Sequence, residues 1–231
     1  MISLTVTPKP AEESSRNYAY RLLYDSIMSL ELTPGTTLVD AELSEALGIS
    51  RTPIREAVLS LQEARLVEIY PQRSSCVSHI DLDAVEEGIF LRFNVERAIL
   101  RDAVDKASGK DLMLLRENLA AQERCLGGSD LNGFVQKDNE FHMLLYQAAG
   151  KPWAWQTVRR IVTHLDRVRR MRVDLGQEVL MPAYEEHCRI YDTLITHSHE
   201  NMDDFLYDHL TSGYRTALPE LMRLHPDYFA K

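Results

Sequence analysis

At 231 residues the chain is long enough for two domains, each able to bury its own core. Its formal net charge is −9, and neither half is basic, since residues 1–75 carry 7 Lys and Arg against 10 Asp and Glu. This excludes a broadly cationic nucleic-acid coat, so any grip on phosphate rests on a few placed arginines, and no apolar run approaches a membrane span.

Residues 1–14, with Pro8, Pro10 and Glu12-Glu13-Ser14, read as a loose tail. A helix is expected over residues 15–30, with Tyr18, Leu22, Leu23, Ile27 and Leu30 on one side, ending before the turn Thr33-Pro34-Gly35. Residues 40–77 then read as two short helices joined by a tight turn and followed by a β-hairpin. Asp40 is the expected N-cap of the first helix, and Gly48 the left-handed residue that ends it. Ser50 is placed to cap the second, whose Ile54, Ala57, Val58 and Leu61 recur at i, i+3, i+4 and i+7. Pro53 falls in the first turn, where a missing N–H costs nothing. Arg51, Thr52 and Arg55 project away from that apolar stripe, at the end of the helix that a helix-turn-helix offers to the DNA major groove. Residues 67–70 and 76–79 alternate like strands, with residues 71–75, including Arg73, as a wing tip.

Beyond residue 80 strand signals vanish. Helices are expected over about 81–107, 111–126, 130–149, 153–173, 182–198 and 201–224, with Pro219 kinking or splitting the last. The fold class is therefore mainly α: a tail (1–14), a winged helix-turn-helix domain (15–79) and an all-α antiparallel bundle (80–231).

Within the bundle, Asp138 and His142 lie four apart on one helix, and His187 and His209 sit mid-helix on two others. Such a set can converge on a divalent transition metal, with Zn²⁺, Ni²⁺, Mn²⁺ or Fe²⁺ all compatible. Spacing alone equally allows a scatter of unrelated surface histidines. Arg92 and Glu96, four apart, read either as an intrahelical ion pair or as an anchor for an acidic small molecule. The arginines at 159, 160, 167, 169, 170 and 172 read as a solvated face with one or two members turned inward. Trp153 and Trp155 read as core or interface anchors. Cys76, Cys125 and Cys188 form neither a metal-type spacing nor a disulfide framework, so reduced thiols and a cytoplasmic location are expected.

Thr33-Pro34-Gly35, Leu43-Ser44-Glu45 and above all Gly48-Ile49-Ser50-Arg51-Thr52-Pro53-Ile54-Arg55-Glu56-Ala57 resemble the GntR family of bacterial transcription regulators. The helical half resembles the FadR-like subfamily, whose effector domain is called FCD. The resemblance implies a homodimer on a pseudo-palindromic double-stranded operator, often a repressor, released by a small carboxylic acid bound beside a metal, zinc being the leading choice. It implies DNA contacts from Ser50, Arg51, Thr52, Arg55 and the wing (Arg73), metal ligation by Asp138, His142, His187 and His209, and an effector contact from Arg92. A metal-dependent enzyme on a helical bundle, or a regulator with a purely structural metal, are the alternatives. The chain departs from the family pattern at Ala41, where relatives often carry arginine, and at Arg65 and Ser74, where they usually carry glycine.

Overall fold

The computed structural model describes residues 4–70 and 75–230. The amino-terminal domain contains α1 (Ser15–Met28), β1 (Thr37–Leu38), α2 (Asp40–Leu47), α3 (Arg51–Glu63), β2 (Val67–Ile69) and β3 (Ser75–Val77). Ser14 caps α1 by accepting the Asn17 N–H. The helix stops two residues short of the expected end, because Leu30 turns into the left-handed region (φ 64°). Leu22, Leu23 and Ile27 of α1 pack with Leu43, Ile54, Val58 and Leu61 into one core. Gly48 ends α2 at φ 65° with its N–H on the Ser44 carbonyl, which sets the tight turn into α3.

Three local expectations change. Asp40 is the first residue of α2, not its cap; Val39 holds the cap position, and the Asp40 carboxylate turns to Arg55 instead. Ser50 occupies the cap position of α3 but makes no side-chain cap bond. The two-residue strand β1 pairs antiparallel with β3, giving the order β1-β3-β2; two residues are too few to carry an alternation signal. Arg65, standing where glycine is usual, adopts φ 57°, and its carbonyl accepts hydrogen bonds from Ser78 and His164 that help hold that backbone.

The second domain comprises α4 (Leu82–Lys106), α5 (Gly109–Gly127), α6 (Leu131–Ala148), α7 (Pro152–Ile161), α8 (Thr163–Met171), a 3-10 turn (Arg172–Leu175), α9 (Gln177–Thr196) and α10 (Met202–Leu224). Asp81, Ser108 and Asp130 cap α4, α5 and α6, and Ser108 forms a reciprocal capping box with Asp111, so α5 starts two residues before Asp111. The expected single helix over 153–173 is broken at Val162, beyond which Thr163 to Val168 are all buried. The apolar pattern runs through the break, so periodicity could not reveal it. Gly88 of α4 admits this sunken segment: a Cβ there would lie 3.3 Å from the Leu165 Cβ. Pro182 sits inside α9 rather than at its start, and Pro219 inside an unsplit α10. In each, burial of one continuous face outweighs the missing backbone bond.

Helix α8 also joins the two domains. Thr163 donates to the Ala64 carbonyl at 3.1 Å, and Arg167 donates to the Ser78 carbonyl at 2.7 Å and the Ser78 hydroxyl at 3.2 Å. His164 Nδ1 accepts the Asp81 N–H at 3.0 Å, so its Nε2–H donates to the Arg65 carbonyl at 3.1 Å. Arg167 is fully buried and Arg169 and Arg172 are largely so, which makes three inward members of the run where one or two were expected, while Arg160 stays exposed. Trp155 packs on Tyr146, whereas Trp153 is exposed. The cysteines are unpaired, and no helix among the described residues is long and apolar enough to cross a membrane.

Candidate metal centre and nucleic-acid interface

Helices α6, α9 and α10 each turn one imidazole into the middle of the bundle. Ligand atoms of His142, His187 and His209 all lie within 4.8 Å of one another. The outer nitrogens are held from behind. Asn118 of α5 donates to the Lys137 carbonyl and accepts from Gln122 Nε2, which turns Gln122 Oε1 toward His187 Nδ1 at 2.8 Å. Glu186 accepts from His209 Nδ1 at 2.8 Å. Glu96 Oε2 lies 3.0 Å from His142 Nδ1, close enough to pair though not aligned as a hydrogen bond. Carboxylates and an amide oxygen can only accept, so the hydrogen bonds put the protons of His187 and His209 on Nδ1 and leave their Nε2 bare, and the nearby Glu96 carboxylate favours the same tautomer at His142.

The bare nitrogens face each other. His142 Nε2 and His209 Nε2 are 3.3 Å apart, and His187 Nε2 is buried with no hydrogen-bond partner. Facing lone pairs repel unless a cation lies between them, and three inward imidazoles oriented by outer acceptors are what a transition metal requires. Burial pushes the His142 pKa down to about 4 against the pull of Glu96, and burial pushes His187 well below its ordinary value. Both are therefore neutral and able to ligate near pH 7. The residues present fit a divalent metal.

Asp138 borders this trio without closing on it. Its Oδ1 lies 3.7 Å from His187 Nε2, and its Oδ2 accepts from Arg169, which also donates to Asp166 at 2.9 Å. Burial pushes the Asp138 carboxyl up, but Arg169 and the imidazoles outweigh it and hold the group ionised. Arg92, buried, closes its fork on Glu96 (Nε to Oε1 2.6 Å, Nη2 to Oε2 3.3 Å). The intrahelical pair is thus the reading its geometry favours, and Arg92 does not line the neighbouring cleft. That cleft, about 700 Å³, opens between α9 and α10 and is bordered by Arg172, Glu186, His209, Ser212 and Thr216. The outer partners Gln122 and Glu186 went unnoticed in the sequence, where nothing in their spacing marks them; Arg172 stands out there only as one of an arginine run, without a place in the cleft.

On the amino-terminal domain, Ser50, Arg51, Thr52 and Arg55 are all exposed at the start of α3, while Ile54, Ala57, Val58 and Leu61 are buried behind them. Arg55 Nε donates to Asp40 at 2.6 Å. Leu59, also exposed, continues the Arg51-Arg55 row one turn further. Arg73 lies outside the described residues.

Residues 16–77 match the family model for bacterial regulatory proteins of the gntR family, and residues 87–212 match the FCD domain. The chain belongs to the GntR family. It is 30% identical to the HTH-type transcriptional repressor RspR of Escherichia coli (strain K12) over 92% of both chains. It is 34% identical to an HTH-type transcriptional regulator in an unstable DNA locus of Streptomyces ambofaciens, covering 78% of this chain and 75% of that one. Its fold matches E. coli McbR/YncC with a TM-score of 0.74 at 18% identity, over 92% of this chain and 99% of the other. A GntR regulator from Rhodococcus sp. RHA1 matches at 0.72 and 23% identity, over 90% and 99%. This GntR protein is a DNA-binding transcriptional regulator with an FCD domain, not an enzyme.

Proposed function

We propose that this GntR regulator is a metabolite-responsive repressor whose hold on its operator is set by a small carboxylic acid bound beside a divalent metal, zinc first among the candidates. His142, His187 and His209 would hold the metal, with Asp138 next to them as the available carboxylate. When bound, the metal would supply a Lewis-acidic centre for a carboxylate oxygen. The observation carrying this reading is the trio of bare, inward imidazole nitrogens at the edge of a cleft large enough for such an acid.

Coupling to DNA has a physical route. Helix α8 places Arg169 against Asp138 at one end of this site and Thr163, His164 and Arg167 against the DNA-binding domain at the other. A ligand that alters the Asp138–Arg169 contact bears on the element that carries the head; for regulation it must bind the DNA-competent and released states with different affinity. Arg51 and Arg55 would offer guanidinium forks to guanine, with Ser50 and Thr52 on phosphate. A homodimer would present two such heads to a pseudo-palindromic site. RspR, the relative named above, is described as a repressor.

The test combines metal analysis with operator gel shifts. The purified protein should carry stoichiometric metal, and an acid that binds it should weaken the operator complex. Release by acid from metal-stripped protein at unchanged affinity would leave the metal a structural role only, and the absence of any acid-dependent shift would overturn the sensor reading.

A further inference from the structure

An acid in this cleft needs a cation to meet it, and the arginines near the site differ sharply in availability. Arg92 is closed on Glu96, Arg159 on Asp166, and Arg169 on Asp138 and Asp166. Arg172 is not paired. It follows α8 in the 3-10 turn, lines the cleft, and has no carboxylate oxygen within ion-pairing distance among the described residues. Its Nη2 donates to the Val179 carbonyl at 2.8 Å, while its Nε is buried with no partner. Burial lowers its pKa from the ordinary value, and the attraction of Asp138 and Glu186, both beyond ion-pairing distance, only partly offsets this. A largely buried guanidinium without a carboxylate is costly; Arg167 offsets that cost with its hydrogen bonds to Ser78, whereas Arg172 sits beside an open cleft where a ligand can complete it.

The cradle of Arg172 is equally specific. A Cβ on Gly213 of α10 would lie 2.5 Å from Arg172 Cζ and 2.6 Å from both terminal nitrogens. The guanidinium therefore lies directly on the backbone of α10, in space that only glycine leaves open. Gly213 is four residues, about one turn, beyond His209, so the guanidinium and the imidazole face the same opening. Much of the remaining polar lining accepts hydrogen bonds: Asp174, Glu178, Glu186 and Glu220 are carboxylates, of which Glu186 already meets His209 and Glu220 already accepts from Arg223, and the Thr216 hydroxyl already donates to the Ser212 carbonyl.

We propose that Arg172, lying on Gly213, is the anion anchor of this cleft, and that its ligand is a small carboxylic acid bearing hydroxyl or ammonium donors. The proposal rests on the effector reading above and adds the anchoring residue and the ligand class. The carboxylate meets the Arg172 fork, and the donors of the ligand satisfy the acceptors around it. A plain fatty acid would leave those acceptors against methylene groups.

The experiment is calorimetric titration of the full-length, zinc-loaded protein with gluconate (carboxylate and hydroxyls), glutamine (carboxylate and ammonium), hexanoate (carboxylate alone) and glucose (hydroxyls alone). Gluconate or glutamine should bind best, hexanoate more weakly, and glucose not at all; which of the first two binds better identifies the donor. Arg172→Gln should weaken the better ligand roughly ten- to hundredfold, the range for a hydrogen bond to a charged group. Gly213→Ala should weaken it similarly by displacing the guanidinium. Because alanine favours helix over glycine, that loss cannot be put down to a failure of α10 to form. The double variant should be no weaker than either single one. Unchanged binding in Arg172→Gln overturns the anchor while leaving the effector reading intact. Hexanoate binding as tightly as the donor-bearing acids overturns the ligand class. If neither gluconate, glutamine nor hexanoate binds the wild type, the anchor is overturned; the effector reading then stands or falls by whether any acid shifts the operator complex.

Discussion

Arg167→Met tests how firmly the DNA-binding domain is held. The wild-type side chain is fully buried and makes two hydrogen bonds to Ser78, on the amino-terminal side of the junction, with Nη2 also 3.1 Å from His164 Nδ1. At roughly 1.5–3 kcal/mol per hydrogen bond to a charged group, the Ser78 pair is worth about 3–6 kcal/mol gross. Against this stands the burial of a cation with no carboxylate partner, which lowers the Arg167 pKa to about 10. Relieving that desolvation returns part of the loss, leaving a net destabilisation of about 2 kcal/mol for a residue of similar length and no charge. For a chain of this size that corresponds to a Tm lower by roughly 4–8 °C. Calorimetry should show the lower transition separating from that of the helical domain, because the junction rather than either core has been weakened. Limited proteolysis should speed up at residues 78–81, and operator binding should persist while its response to acid falls. A single transition at the wild-type temperature, with unaltered proteolysis, would refute the reasoning.

If the proposed site holds a metal, His187→Ala removes an imidazole whose Nε2 faces the other two, so metal content measured by mass spectrometry should drop to background and Tm should no longer respond to a chelator; retained stoichiometric metal would place the ion elsewhere. Acid should loosen the junction through His164. Burial first, and then Arg167, hold its folded pKa at about 4 against an ordinary value of 6.5. As pH falls through that interval the unfolded chain takes a proton that the folded chain refuses, so stability is lost on acidification. The groups acting on His164 are Arg167, the Arg65 carbonyl and guanidinium, and the Asp81 N–H and carboxylate. Urea unfolding between pH 7 and 4 should therefore be flatter for His164→Asn than for wild type, and equal slopes would exclude it as the titrating group. Arg51→Ala should cost about 1–3 kcal/mol of operator affinity and relax preference at one base pair; an unaltered gel-shift midpoint and unaltered selectivity would remove Arg51 from base recognition.

Local order in this protein was legible without coordinates. Gly48 with φ 65°, the buried row Ile54, Ala57, Val58 and Leu61, and the exposed row Arg51, Thr52 and Arg55 all follow from spacing on two short helices. The helix carrying Asp138 and His142 was equally plain, since 3.6-residue periodicity records which face is buried. It does not record what that face is buried against. The break at Val162 was hidden because both pieces share one apolar phase, and the inward turn of Arg167 was hidden because its partners lie on another domain.

The amino-acid sequence alone determined the two-domain plan, the exposed polar face of α3 and the placing of one histidine on each of three helices. Tertiary structure alone decided that the three imidazoles meet, that Gln122 and Glu186 aim two of them, that His164 reaches the Arg65 carbonyl, and that Arg172 lies on the cleft with no carboxylate in ion-pairing range among the described residues. The physical reason is separation along the chain: His187 and Gln122 are 65 residues apart and His164 and Arg65 are 99 apart, so neither pair leaves a local pattern. Hydrogen-bond partners of buried polar groups are chosen by how the helices stack, and that choice exists only once the core has closed.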